Sequence, residues 1–317
     1  MSNTSLPVQE AVPLLLSAAA SVLLFYSGLF AFLFVVPVQY VYTRYGPQKG
    51  SLTGVGTAVV IVAVHLLQVT RIDSVPPDMV RLLFFDSLMP VGLLAGVAVI
   101  NLNHRHPWWG RLLIGSGVAL LGAVPSLRIL ALAGDGTGPL SDQITAMVEM
   151  LGVTEGTDQM IRTIQRVAMN TVGIGIVATL AANWWLGRSI VLRRYGLVQS
   201  VRPARVINDL VWVVIAGLAI VVGSEFVEMG FAQPLGWNAL LVGSFLFGIQ
   251  GVGLIQHVLR VKGGTDRAER WVPTIVLMLL FIPGINLLVM LGVPLLGMSE
   301  VWIDYRRGDE YEGHSEH

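Results

Sequence analysis

Hydrocarbon makes an ionisable side chain expensive, so the first residues to weigh are the titratable groups set in or beside apolar runs: Asp86, Arg128, Glu225, Glu228, His65 and His257. Glu225 and Glu228 are three apart, one helical turn, and two carboxylates so placed can close on one cation or one substrate amine. A solvated helix end is the commoner explanation of such a pair. Asp86 follows Arg81 by five residues, close enough to the end of its run for snorkelling and local water to tolerate it. Arg128 ends a long apolar stretch and five more apolar residues follow it. A phosphate headgroup is one partner for it; Asp86 or Glu225 is the other, if it is buried. His65 is a further titratable group inside a run, and His257 reads as an interface histidine near Arg260.

Amides add a second set. Asn170, Asn183, Asn238, Gln250 and Asn286 stand in otherwise apolar segments, where an amide either bonds across helices or lines a small-molecule site. The substrate-binding candidates are therefore Asp86, Arg128, Asn170, Glu225 and Glu228, each as a ligand contact and none as a catalyst.

Catalytic and cofactor chemistry finds no foothold. The chain has no cysteine, which removes disulfides, thiolate metal sites and thiol nucleophiles. His104 and His106 are two apart, a spacing that turns them to different helix faces, and no carboxylate motif accompanies them, so no metal site is expected. The sequence holds no G-x-S-x-G, H-E-x-x-H or P-loop. The glycines of Gly248, Gly251 and Gly253 lie mid-segment rather than in a strand-to-helix turn, so they are not a nucleotide loop. Twenty basic residues balance twenty acidic ones, so no net field calls for nucleic acid. The chain is expected not to be an enzyme and to need no cofactor.

The elements that must carry these residues follow from where charge is missing. With 317 residues, 54% hydrophobic and 13% charged, the chain is too apolar for a water-soluble domain, in which about a quarter of residues are charged. Eight hydrophobic segments result: 11–43, 50–70, 82–103, 112–133, 167–186, 210–224, 229–259 and 271–299. An all-α polytopic transmembrane bundle is the expected fold. The first ten residues lack Lys and Arg and the apolar run after them is far longer than a signal core, so the N-terminus is not read as a cleavable signal.

Basic residues set the orientation. Connections at 44–49, 104–111, 187–205 and 260–270 hold 13 Lys and Arg, against 4 in those at 71–81, 134–166 and 225–236, so the first set is expected in the cytoplasm. Trp108, Trp109, Trp184, Trp185, Trp271, Tyr40, Tyr42 and Tyr45 flank the same connections, as headgroup-level aromatic rings do.

The first and last segments are near 30 residues and contain prolines, which predicts broken helices, the last interrupted at Pro283-Gly284. One transmembrane domain is expected over 1–307, with an external amphipathic helical insertion at about 139–166 and an acidic disordered tail at 308–317. The insertion is read from Ser141 as a cap, an apolar face through Leu151, a stop at Gly152 and a second start at Thr157. It is either a lid over a cavity or a pair of helices lying on the membrane face. Ser17 and Ser21, four apart, and Gly248, Gly251 and Gly253 are the expected helix-packing positions, because small residues let backbones approach.

Several stretches together resemble a known family. They are Pro37-Val38-Gln39-Tyr40-Val41 leading to Arg44-Tyr45-Gly46, the basic Arg188 to Arg205 connection and the run Gly251 to His257. The closing Leu295-Leu296-Gly297-Met298-Ser299 with Trp302 to Arg307 completes the set. Across nearly the whole chain they resemble the YybS-like membrane proteins (the DUF2232 family). That family usually carries an aspartate soon after the closing Leu-Gly, where this chain has Glu300 and, further on, Asp304. The family is related in fold to the S components of energy-coupling-factor transporters. The resemblance implies a helical bundle of the bacterial cytoplasmic (inner) membrane, with an outward-opening small-molecule cavity. It also implies an ABC-type ATPase or another membrane subunit as partner, since the chain has no ATPase motif of its own. Two functions stay open: binding or translocation of a small solute with a separate energising partner, or a structural or regulatory subunit of a membrane complex.

Overall fold

The computed structural model describes residues 8–70, 77–134, 157–196, 205–227 and 229–306, and every regular element among them is a helix. Contacts divide the chain into two compact units, 1–199 and 200–317, so the boundary falls inside the arginine-rich connection between Arg188 and Arg205.

The 1–199 unit contains α1 (Val8–Tyr26), a short 3-10 turn (Ala31–Leu33), α2 (Val36–Tyr45), α3 (Pro47–Thr70), α4 (Pro77–Leu102), α5 (Trp108–Gly134) and α6 (Thr157–Arg194). The first apolar segment is interrupted. After α1, Gly28 takes φ +70° and turns the chain. Pro37 then opens α2 in its first turn, where a missing N–H breaks no helical bond. Gly46, at φ +88°, separates α2 from α3. Short as it is, α2 lies deep, with Val38, Gln39, Val41 and Tyr42 buried against α3 and α6. Phe34, Val35, Ile61, Val97 and Leu180 complete that core, each at most 2% exposed.

α4 and α5 run against each other along a glycine seam. A Cβ on Gly96 would stand 2.6 Å from the Gly115 carbonyl oxygen, and one on Gly122 would stand 2.6 Å from that of Leu88. Backbone therefore meets backbone, which only glycine permits.

The helix that opens at Thr157 has 38 residues and continues without interruption into the apolar segment ending at Leu186. At about 1.5 Å per residue it is roughly 57 Å long, about twice a hydrocarbon core. Its first three turns, with Asp158, Arg162 and Arg166, are the polar excess. The expected first arm of the insertion, from Ser141 to Leu151, lies outside the described residues, as does the tail beyond Arg306.

The 200–317 unit contains α7 (Leu210–Gly223), α8 (Ala232–Val261), α9 (Asp266–Leu279) and α10 (Ile285–Ser299). Thr265 caps α9 by accepting from the Ala268 N–H at 3.3 Å. Gly284, at φ +86°, breaks the last apolar segment into α9 and α10. α8 is the hub, packing on α7, α9 and α10. Its contact with α10 centres on Gly251 and Gly297, where a Cβ on either would collide with the opposing backbone at Val293 or Phe247. Its contact with α7 uses Gly217, where a Cβ would lie 2.8 Å from the Leu240 nitrogen.

Among the described residues, four helices are long and apolar enough to cross a membrane: α3, α5, α6 and α8. Four shorter apolar helices lie in α1, α4, α7 and α10. Large apolar side chains crowd the surface, with Phe226, Phe231 and Phe281 each more than 80% exposed. A water-exposed surface of that kind would aggregate, whereas a lipid-facing one is at equilibrium. The molecule is a helical bundle built as a membrane protein.

Candidate functional site

Among the described residues, each unit contains a cluster of polar side chains that joins separate helices. In the 1–199 unit, α2 brings Gln39 against Asn101 near the end of α4. Their amides bond reciprocally: Gln39 Nε2 donates to Asn101 Oδ1 at 3.1 Å and Asn101 Nδ2 donates to Gln39 Oε1 at 2.7 Å. Gln39 also donates to Thr43 Oγ1, and Asn101 to the Val97 carbonyl. Gly187 of α6 closes the third side, since a Cβ there would lie 2.7 Å from Gln39 Cγ. Nearby in sequence, Asn183 donates from Nδ2 to the Phe32 carbonyl at 2.7 Å, holding the break between α1 and α2 onto α6. Tyr26, which closes α1, donates to the Ile61 carbonyl at 3.1 Å and sits 3.0 Å from His65 Nδ1. These are uncharged amide, hydroxyl and carbonyl partners, the kind that fasten helices where water is scarce.

In the 200–317 unit the cluster is ionic. Gln250 of α8 donates from Nε2 to the Gly297 carbonyl at 3.0 Å and to Glu300 Oε2 at 2.9 Å, and accepts from the Val206 N–H at 2.8 Å. Glu300, just past α10, meets Arg306 at Nε, 2.7 Å from Oε1, and at Nη2, 3.2 Å from Oε2. The Nε approach is an ion-pair contact with the N–H off line, while Nη2 makes the hydrogen bond. Both side chains are only 3% exposed. Arg205 adds its guanidinium 3.6 Å from Glu300 Oε1 and 2.8 Å from Asp304 Oδ1. Asp304 in turn accepts from the Arg306 backbone N–H at 3.2 Å. Two carboxylates thus face two guanidiniums, and the buried carboxylate has an amide as well, which is the condition under which buried charge is tolerable.

Of the residues expected to bind substrate, the described ones, Arg128, Asn170 and Glu225, belong to neither cluster. Asn170 lies in α6, half-buried, and its Oδ1 is buried with no hydrogen-bond partner among the described residues. Arg128 lies in α5 and is exposed. Position 86 is in α4, with its side chain outside the described residues. The antiparallel meeting of Gly92 with Gly122 sets positions 86 and 128 at the same height. Glu225 sits exposed in the turn after α7, its N–H donating to the Val222 carbonyl at 3.2 Å, and Glu228 lies outside the described residues. Among the described residues no three His, Asp or Glu side chains come together in a way that could hold a metal ion.

No family model, curated protein or solved structure matches this chain. The expected packing positions have definite environments. Gly251 is at the closest approach of α8 and α10, whereas a Cβ on Gly248 would make only ordinary contact with Pro294. Gly253 is buried in α8, Ser17 is half-buried and Ser21 is fully buried. Sequence reasoning missed the α4–α5 seam, although Gly92-x-x-x-Gly96 is a legible small-residue motif. It also missed Gln39 with Asn101, and Glu300 with Arg306. A signal existed for the last pair: Glu300 directly follows the apolar 271–299 segment, and Arg306 stands six residues further on.

Proposed function

We propose that this chain is a multi-pass protein of the bacterial cytoplasmic membrane whose eight hydrophobic segments form an S-component-like bundle. In this reading it binds or translocates a small solute and draws energy from a separate partner, an ABC-type ATPase. The YybS-like motifs support it, and so does one observation in particular: the buried, unpartnered carbonyl oxygen of Asn170. An acceptor left open in an apolar span costs about 1–3 kcal/mol, which a hydroxyl or amine of a solute recovers on binding. Purified protein in mild detergent is expected to retain a small molecule detectable by mass spectrometry. Its thermal midpoint is expected to rise with that molecule, since a ligand at a hundred times its dissociation constant adds about 2.7 kcal/mol. Asn170→Leu removes the shift while leaving the unliganded midpoint close to wild type. A chain that retains nothing, shifts with no member of a vitamin and metabolite panel and is indifferent to Asn170→Leu rejects the proposal.

The ionic cluster of the 200–317 unit favours the other reading, a structural or regulatory subunit. Gln250, Glu300, Arg205 and Asp304 are engaged with one another, as groups that fasten a scaffold are. Recovery of a stoichiometric membrane partner without ATPase subunits in a gentle-detergent pull-down supports that alternative. Co-recovery of ABC-type ATPases supports transport.

A further inference from the structure

Two helix ends of the 1–199 unit meet at a group of cations that the functions above do not use. α2 carries Arg44 in its last turn, and α6 closes with Arg193 and Arg194. Tyr195, the next residue, joins the two ends. Its hydroxyl lies 3.4 Å from that of Tyr40 in α2, and the Arg44 guanidinium stands over its ring, 4.0 Å from the centroid. Arg44, Arg193, Arg194 and Tyr195 are all exposed. Arg44 also lies 5.7 Å from the Tyr45 ring, and Lys49, in the first turn of α3, lies 5.9 Å from the same ring.

This surface is of one sign. No Asp or Glu occurs between 11 and 72 or between 159 and 208, the stretches that hold α2, α3 and nearly all of α6. A helix C-terminus carries about half a negative charge, so the ends of α2 and α6 offset only part of three guanidiniums. Stacking on Tyr195 holds the Arg44 guanidinium by its face and leaves its charge in full. An anionic partner is therefore the one that fits, and the neighbouring side chains say of what kind. Ile190, 46% exposed, stands three and four residues before Arg193 and Arg194. That spacing runs an exposed apolar face of α6 straight into the two cations. Tyrosine rings at the ends of apolar helices mark the headgroup level of a bilayer. A water-borne acidic protein or nucleic acid would meet the apolar face as well as the cations. A lipid meets the face with its chains and the cations with its phosphate.

We propose that Arg44, Arg193 and Arg194, at the joined ends of α2 and α6, form a docking surface for the phosphates of anionic lipid headgroups. The surface acts through its field rather than as a closed pocket. It selects the lipids around the 1–199 unit and is independent of solute binding.

Full-length protein in nonionic detergent, offered equal amounts of dioleoylphosphatidylglycerol and dioleoylphosphatidylcholine, tests this, with bound lipid counted by native mass spectrometry at low and at high sodium chloride. A basic residue near an anionic lipid surface contributes about fivefold to the attraction. Wild type is expected to prefer phosphatidylglycerol at least about tenfold at low salt, and less at high salt. Arg44→Gln/Arg193→Gln/Arg194→Gln is expected to lose at least about tenfold of that preference. Arg44→Lys/Arg193→Lys/Arg194→Lys keeps the charge and is expected to keep the preference. Arg162→Gln/Arg166→Gln, two exposed changes at the other end of α6, leaves it unchanged. If the triple glutamine variant does not fold, Arg193→Gln/Arg194→Gln takes its place, with an expected loss of several-fold. Wild-type preference in the glutamine variant overturns the proposal, and so does an equal loss at the other end of α6. A lysine variant that loses as much as the glutamine variant assigns the cations to a shaped guanidinium site and overturns the field-based surface. Polyglutamate or sodium phosphate that displaces the lipid more than sodium chloride of the same ionic strength assigns the surface to a soluble anion and overturns the lipid assignment.

Discussion

In the 1–199 unit the polar pair that joins α2 to α4 is neutral, Gln39 bonded to Asn101, while the 200–317 unit buries a full carboxylate and guanidinium, Glu300 and Arg306. The neutral pair needs only its own four amide groups and a few helix carbonyls. The charged pair needs a surround: Gln250 from α8, Arg205 from the chain before α7 and Asp304 from the turn after α10. An ionic cluster therefore ties distant stretches of sequence together, here 205–206, 250 and 297–306, whereas an amide pair ties two helices. The difference also sets how each fails. A lost amide leaves a dipole unpaired, but a lost carboxylate leaves a buried charge.

The sharpest way to break the comparison is Glu300→Ala. Stranding Arg306 at 3% exposure is expected to cost about 3–5 kcal/mol in detergent-phase unfolding. Glu300→Ala combined with Arg306→Met is expected to recover much of that loss, because the desolvation cost leaves with the charge. If the single change is as mild as an amide change, the two units do not differ in the way described.

The amide pair ranks next. Gln39→Leu orphans Asn101 and is expected to cost about 1–3 kcal/mol, with part of it restored in Gln39→Leu/Asn101→Leu. A double-mutant cycle on the unfolding midpoints measures the coupling. Glycine seams give a control that should not distinguish the units. Gly297→Val in α10 and Gly122→Val in α5 both drive a side chain into opposing backbone, and each is expected to lose about 1–3 kcal/mol through overpacking. Markedly unequal losses would mean that packing rather than polarity separates the two units.

The smallest effect lies at the edge of the 1–199 unit. Tyr195, beyond the end of α6, has its phenol held below the ordinary tyrosine range, first by its hydrogen bond with Tyr40 and then by Arg44. Tyr40→Phe is expected to move the Tyr195 titration upward, read as phenolate absorbance against pH, with little change in stability because Tyr195 is exposed.

Much of the helical scaffold was legible before any coordinates, because hydropathy and helix breakers act locally. Absence of charge over 50–70, 112–133 and 229–259 reads as apolar helix whatever the neighbours, and α3, α5 and α8 lie there. Pro283-Gly284 reads as a break, and Gly284 at φ +86° separates α9 from α10. The site residues were less legible. Glu225 and Glu228 form a pair one turn apart in sequence, yet Glu225 is exposed in a turn, whereas Glu300, singled out only through the family resemblance, is buried. Burial at position 300 depends on the return of Arg306 over the end of α10 and on Gln250 reaching it from α8, and neither is a property of the residues next to Glu300.

The sequence by itself determined that this is an apolar helical protein, where its helices break, and how its charge is sorted along the chain. Those are consequences of single segments meeting solvent or hydrocarbon, and each segment carries its own answer. Only the tertiary structure decided which polar groups meet: Gln39 with Asn101, and Glu300 with Arg306. Hydrogen bonds and ion pairs act over about 3–4 Å, so their partners are set by which helices pack and in what register. Among the described residues, the same packing left the Asn170 carbonyl oxygen, the Arg111 Nε–H and the Trp108 indole N–H without hydrogen-bond partners.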